Sequence, residues 1–292
     1  MTILNYLLYY LVIIPISLLP FRVLYILSDG LFFLFYYVIG YRKQVVMKNI
    51  RNAFPKKSVN EQNEIARKFY KHFCDLVVES LKIFSISKKQ VERRMILKNP
   101  SFIQKYFDSN KSIIMAGGHF NNWELFAVAI DKDIPHQAIA IYQPLTNKFF
   151  DHKMKATRSR FGLHMISTKV VKRTFEEEKN NLSAMIFASD QSPSNPNNCY
   201  WTKFLNQDTG VLFGVEKYAK DYNYPVIYGR INKEKRGHYS YEFFEVCNDP
   251  SKLDFGKITE KFTSMLEEDI NEKPEFWLWS HRRWKHERPE IN

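Results

Sequence analysis

From Lys111 onward the chain alternates short apolar runs with stretches of helical spacing, and that alternation admits very few architectures. Residues 112–116 read as a strand closing on Gly117-Gly118, 121–130 as a helix, 138–142 as a second strand and 147–160 as a second helix. A polar helix over 169–179, a strand over 183–188 and a helix over 211–221 follow. Strands over 225–231 and 239–246 and a helix over 256–271 complete the series. Apolar strands separated by helices predict an α/β fold, a mostly parallel sheet with helices on both faces. Upstream, Ile65, Phe69, Phe73, Leu76, Val77, Leu81 and Phe84 recur every three or four positions. That period predicts one long helix over 58–85 with a packing face.

The start of the chain obeys different rules. Residues 3–19 (ILNYLLYYLVIIPISLL) carry no charge, and their length is at the lower limit of about 17 residues for crossing a bilayer. A second apolar run, 31–39, follows Arg22, Asp29 and Gly30. The first basic residue is Arg22, and no basic segment precedes the apolar run, which argues against a cleaved signal peptide. Residues 1–41 are therefore expected to be an N-terminal membrane-anchoring helical segment, either a single span or a hairpin lying partly in the interface. Residues 42–292 are expected to be the α/β domain. Arg42, Lys43, Lys48, Arg51, Lys56 and Lys57 come directly after the anchor. By the positive-inside rule they put the following chain on the cytoplasmic side, each gaining about 1 kcal/mol near anionic headgroups.

Lys plus Arg outnumber Asp plus Glu by 43 to 31, a net charge of +12 that suits an acidic partner: nucleic acid, an anionic membrane or an acidic carrier protein. Cys74, Cys199 and Cys247 are odd in number and lack CxxC spacing, so neither a disulfide framework nor a zinc site is indicated. The chain has no P-loop, GxGxxG, HExxH or EF-hand pattern. Neither a cofactor nor a metal is expected.

Ligands of open α/β sheets bind at the carboxyl ends of the strands. Three polar clusters fall at such ends: residues 117–124 (GGHFNNWE), Tyr142-Gln143-Pro144 and Ser189-Asp190-Gln191. His119 follows the Gly-Gly turn, and Glu124 lies five positions later in the first turn of the next helix. An imidazole folded back onto that carboxylate would have its tautomer fixed and its protonated form stabilised. No serine or cysteine stands beside His119. The pair therefore suits a general base acting directly on a substrate hydroxyl, without a covalent enzyme intermediate.

These residues resemble the lipid A biosynthesis (late) acyltransferases, within the lysophospholipid acyltransferase superfamily. Residues 118–124 are similar to that family's G-H-x-G-N-W-E signature, with Asn121 where the glycine usually stands. Four further blocks match in order: Tyr41-Arg42-Lys43 through Asn49 to Pro55, residues 158–162 (RSRFG), Asp190-Gln191, and 274–285 (PEFWLWSHRRWK). The resemblance implies a membrane-associated enzyme of the cell inner membrane with its catalytic domain on the cytoplasmic side. It implies an acyl donor bound to acyl carrier protein or CoA, and as acceptor a hydroxyl on the lipid A precursor. It implies that the His119-Glu124 pair deprotonates that hydroxyl and that Asn122 supports the pair. Arg158, Arg160 and Asp190 are then expected to organise the thioester or a lipid phosphate, with Arg282 and Arg283 at the rim. The position of the basic run 281–285 in a family block argues against nucleic-acid binding. Where the family often has Tyr-Arg-Pro, this chain has Tyr142-Gln143-Pro144, which removes a bidentate phosphate contact and leaves the acceptor headgroup open. A lysophospholipid or an amino-acid-based lipid is the alternative acceptor, and a non-catalytic membrane-binding protein the remote one.

Overall fold

A computed structural model describes residues 2–289. The strands are β1 (Met95–Leu97), β2 (Ile113–Gly117), β3 (Gln137–Tyr142), β4 (His164–Ser167), β5 (Ser183–Ala188), β6 (Tyr200–Phe204), β7 (Gln207–Val211), β8 (Val226–Lys235) and β9 (His238–Cys247). Seven of them form one sheet in the order β1-β9-β8-β2-β5-β3-β4, while β6 and β7 form a separate antiparallel hairpin. Every neighbouring pair in the large sheet is parallel except β8 and β9.

Twelve α-helices accompany the strands among the described residues. In the N-terminal region are α1 (Thr2–Leu7), α2 (Ile14–Leu18) and α3 (Phe21–Phe33), with wider π-helical turns at Leu8–Ile13 and Leu34–Val38. Next come α4 (Lys43–Ala53), α5 (Val59–Lys82), α6 (Lys88–Arg94), α7 (Pro100–Asp108), α8 (Trp123–Asp133) and α9 (Lys148–Arg158). The last three are α10 (Val171–Glu177), α11 (Gly214–Tyr222) and α12 (Lys257–Glu272). The long helix α5 starts where the sequence marks it. The Ser58 backbone N–H donates to Glu61 at 2.8 Å, and the Glu61 N–H donates to the Ser58 hydroxyl at 3.3 Å, a reciprocal cap.

The period of two along a strand divides the core into two layers. Ile113 and Met115 of β2 pack with α6, α7 and α8 on one face. Ile114 and Ala116 pack with α4, α5, α11 and α12 on the other. Both faces of the sheet are thus covered, and the central strands are apolar on both sides for that reason.

The parallel register brings Gly117 opposite Ala188. The turns that follow β2 and β5 therefore leave the sheet side by side, and these turns carry His119 and Asp190.

One helix, Phe21–Val38, is long and apolar enough to cross a membrane by length and composition, and Ile3–Leu18 is a shorter apolar helix. Between them Leu19 and Pro20 are both extended, at ψ 146°. Proline at that point disfavours helical geometry in the preceding residue, so the chain turns there.

Candidate active site

His119 lies just past the end of β2, held from two directions. Its backbone N–H donates to Asp190 Oδ2 at 2.9 Å, and its ring Nδ1–H donates to Asp190 Oδ1 at 2.7 Å. Asp190 Oδ2 also accepts from the Trp277 indole N–H at 2.9 Å. The carboxylate is buried, and three donors satisfy it. The approach is tight: a side chain at Gly118 would bring a Cβ to 2.8 Å from Leu266 and 3.1 Å from the Asp190 carboxyl.

Burial works against ionisation of both partners, and their mutual attraction overcomes it. For Asp190, desolvation pushes the pKa up, but His119 and the N–H donors bring it down to about 2. For His119, burial lowers the pKa, yet the Asp190 carboxylate, with a smaller contribution from Glu124, leaves it above the ordinary 6.5. The stability contributed by Asp190 is therefore present above its ordinary 3.8 and is lost as pH falls through about 2.

With Nδ1 carrying the proton toward Asp190, the lone pair lies on Nε2, across the ring from the carboxylate. Among the described residues its one hydrogen-bond partner is the Gln191 side-chain amide, which donates to it at 3.2 Å. The Trp123 ring stands edge-on to the imidazole at 5.1 Å between centroids.

The structure assigns the ring to a different carboxylate from the one suggested by sequence spacing. Glu124 lies in the first turn of α8, but its two oxygens accept from Arg158 Nε and Nη2, at 2.8 and 2.5 Å. This bidentate pair sits beside the imidazole without bonding to it. A guanidinium matches both carboxylate oxygens at once, which is why Arg158, at the end of α9, takes Glu124. Asn122 caps α8, its Oδ1 accepting from the Leu125 N–H at 2.8 Å. Its amide donates to the buried Glu79 at 2.6 Å, and Glu79 also receives Tyr239 and Tyr25, each at 2.8 Å. His119, Asp190, Asn122, Glu124 and Arg158 thus converge at one edge of the sheet.

Two further expectations are corrected. Arg160 turns away from the site and donates to the carbonyls of Ile83, Phe84 and Ile86 just beyond α5, at 3.0, 3.2 and 2.5 Å. Those carbonyls lack partners at a helix end, so a nearby guanidinium is drawn to them. Arg283 is buried and donates to the Gly210 carbonyl at 2.7 Å, so it is no rim residue, whereas Arg282 is exposed. Gln143 accepts from the Thr168 hydroxyl at 2.9 Å. Among the described residues no three of His, Cys, Asp and Glu come together in a way that could hold a metal ion.

The sequence profile described as "Bacterial lipid A biosynthesis acyltransferase" matches residues 1–286, nearly the whole chain. The chain belongs to that family. A search among curated proteins returns no match.

Within this member of the family the separate sequence blocks become one assembly. Asn49 of α4 donates to the carbonyls of Trp279 and His281, both at 2.9 Å, and Arg42 donates to Ser280 at the same distance. The block after the anchor thereby clamps the closing block, which delivers Trp277 to Asp190. Neither Trp277 nor Gln191 was singled out from sequence. Both belong to matched blocks, and a hydrogen-bonding side chain inside such a block was the available signal.

The acyltransferase also shows why asparagine can replace the usual glycine at 121. Asn121 adopts φ +54°, a left-handed conformation open mainly to glycine and asparagine. Its amide donates to the Ile231 carbonyl at 2.6 Å. Asn121→Gly is expected to stay within about 1 kcal/mol of the parent, since backbone relief offsets the lost hydrogen bond. Asn121→Val combines a strained β-branched backbone with that loss and should cost about 2–4 kcal/mol. Urea unfolding in detergent measures both, and equal stability of the two variants would contradict the backbone argument.

Proposed function

We propose that the protein transfers a fatty acyl chain from an acyl thioester to a hydroxyl of the lipid A precursor, in a late acylation step. The observation that carries this reading is the His119-Asp190 pair, with Nδ1 held by the carboxylate and Nε2 bonded only weakly to Gln191 at the carboxyl ends of the strands. In the reading, the acceptor hydroxyl takes the place of the weak Gln191 contact at Nε2. His119 removes its proton as the oxygen bonds to the thioester carbonyl carbon. The tetrahedral intermediate collapses, the C–S bond breaks, and the imidazolium returns the proton to the departing thiolate. Asp190 stabilises the imidazolium that forms between the two steps.

Glu124 enters as the anchor of Arg158 in this scheme. Two N–H bonds of the guanidinium are spent on Glu124, and its remaining donors have no partner among the described residues. They suit the thioester carbonyl or a lipid phosphate. We assign the chemistry no metal and no cofactor, since an imidazole base and fixed donors suffice for acyl transfer. Acyl carrier protein as donor is consistent with the charge of +12, because that partner is acidic. We place the enzyme at the inner membrane with residues 42–292 on the cytoplasmic side.

Gln143 favours a second reading of the acceptor alone. It is neutral and bonded to Thr168, so a headgroup phosphate finds no cation at that position. The assay that separates the readings gives purified protein an acyl carrier protein thioester with either a lipid A precursor or lysophospholipids. Acylation of the disaccharide, seen as a mass increase of one acyl chain, is expected. Acylation of lysophospholipid alone would overturn the lipid A assignment.

A further inference from the structure

The N-terminal helices do not stand away from the catalytic domain. They run along it, fastened at short intervals. Asn5 and Asn147 at the start of α9 exchange side-chain hydrogen bonds of 3.4 and 3.2 Å, and the Tyr10 hydroxyl accepts from Lys153 at 3.2 Å. At the turn, the Ser17 carbonyl accepts from Lys82 at 2.8 Å and Ser85 at 2.5 Å, and Leu19 accepts from Lys82 at 3.0 Å. On α3, Tyr25 donates to Glu79 and Ser28 to Asp75, each at 2.8 Å. Asp29 pairs with Arg236 at 2.7 Å. Arg236 belongs to the β8–β9 turn, which presses so closely that a Cβ on Gly237 would meet the Tyr25 hydroxyl at 1.7 Å. Farther on, the Tyr36 ring packs on Tyr70 at 5.4 Å, and the Tyr70 hydroxyl donates to the Tyr41 carbonyl at 2.5 Å.

These fastenings limit how far any stretch can leave the domain. The longest intervals, from Tyr10 to Ser17 and from Asp29 to Tyr36, each span roughly 10 Å of helix at 1.5 Å per residue. A hydrocarbon core is about 30 Å thick. A span through residues 21–38 would also carry Asp29, Arg236, Asp75 and Glu79 to mid-bilayer depth. Each charged group there costs at least about 2.5 kcal/mol. The opposite side of the same helices is apolar. Among the described residues, every exposed large hydrophobic side chain lies at or before Tyr41 except Val59, Ile96, Leu145, Val170 and Phe255. Exposed Arg22 and Lys43 border this surface, as positive charges suited to anionic headgroups.

We propose that residues 2–41 are an in-plane anchor: a two-helix belt that lies in one leaflet, with its apolar side in the acyl chains and its polar side on the catalytic domain. The partner is the surface of an anionic bilayer. Both ends of the belt and its central turn then sit on one side of the membrane. This placement depends on the packing of the helices and not on the chemistry proposed for His119.

The test uses the full chain carrying Cys199→Ser, because Cys74 and Cys247 are buried. Single cysteines replace Ile3, Leu11, Pro20, Ile26, Val38 or Lys43, each of them exposed. Spin labels at Leu11, Ile26 and Val38 are read for depth in vesicles of phosphatidylglycerol and phosphatidylethanolamine, by contrast between oxygen and a polar nickel chelate. The belt predicts similar depths, about 5–10 Å below the headgroups, for all three. Depths that pass through the bilayer centre along 21–38 would overturn the proposal. An impermeant maleimide added to sealed, oriented membranes gives a second readout. Ile3→Cys, Pro20→Cys and Lys43→Cys are all expected to label from the cytoplasmic side. Labelling of Pro20→Cys from the opposite side would mean two spans. Labelling of Ile3→Cys and Pro20→Cys together, opposite to Lys43→Cys, would mean one span. Either pattern sinks the in-plane anchor.

Discussion

His119→Ala is expected to remove most acyl transfer, with turnover falling on the order of 10²–10⁴-fold, the usual effect of losing a general base. The fold is expected to survive. Asp190 loses the ring but keeps the backbone N–H of residue 119 and the Trp277 indole, each at 2.9 Å, so the carboxylate is not left without donors. Steady-state kinetics with an acyl carrier protein thioester and a lipid A precursor reads the rate, and thermal unfolding in detergent reads the fold. Binding of the lipid should change far less than turnover, because the imidazole acts on the proton in flight. A purified, folded His119→Ala variant with turnover near the parent's would refute the general-base assignment.

Asp190→Asn should be as damaging, on the order of 10⁴-fold, by a different route. Asparagine can present its NH2 to the imidazole, which then takes the other tautomer and has no lone pair on Nε2 for the acceptor hydroxyl. The pH profile carries the distinctive signature. In the parent, kcat/KM is expected to fall on the acid side with an apparent pKa above 6.5, because His119 must be neutral to act and its pKa is raised. Removing the Asp190 charge leaves burial to dominate, so the acid limb of the residual activity should move below its position in the parent. Glu124→Gln should move that limb less, since Glu124 contributes less than Asp190 to the His119 pKa. A limb that shifts more in Glu124→Gln than in Asp190→Asn would restore the adjacent carboxylate as the working partner.

The contrast between Glu124 and Asp190 explains what could be read from sequence and what could not. Strands β2, β3 and β5 were legible because a parallel strand buried on both faces needs an unbroken apolar run. Strand β4, His164-Met165-Ile166-Ser167, is short and polar at its ends, so it offers no such run. The β6–β7 hairpin was hidden for another reason. Its turn places Leu205 and Asn206 at φ +49° and +63°, and a leucine in a left-handed position gives no turn signal of the kind Asn-Gly would give. At the site, His119 was found because the Gly-Gly turn and the following helix mark it locally. Its partner comes from 71 residues away. Only the alignment of Gly117 with Ala188 brings the two turns together, and spacing along the chain favours whichever carboxylate is near. Arg158 and Asn122 were legible as members of matched blocks, although their contacts with Glu124 and Glu79 were not.

The indole of Trp277 on Asp190 has a consequence for how the protein is made. During synthesis His119 leaves the ribosome long before Asp190, and Asp190 long before Trp277. Parallel pairing of β2 with β5 must also wait for the crossover through β3 and β4, which makes it a slow, non-local step. A nascent chain that has already folded its first strands therefore holds an imidazole with no carboxylate to fix its tautomer. Trp277 reaches Asp190 from the closing block, which the Asn49 clamp on residues 279–281 holds in place. In the proposed mechanism, the carboxylate that fixes the His119 tautomer is thus made after the base it serves, and the indole that holds that carboxylate is made later still.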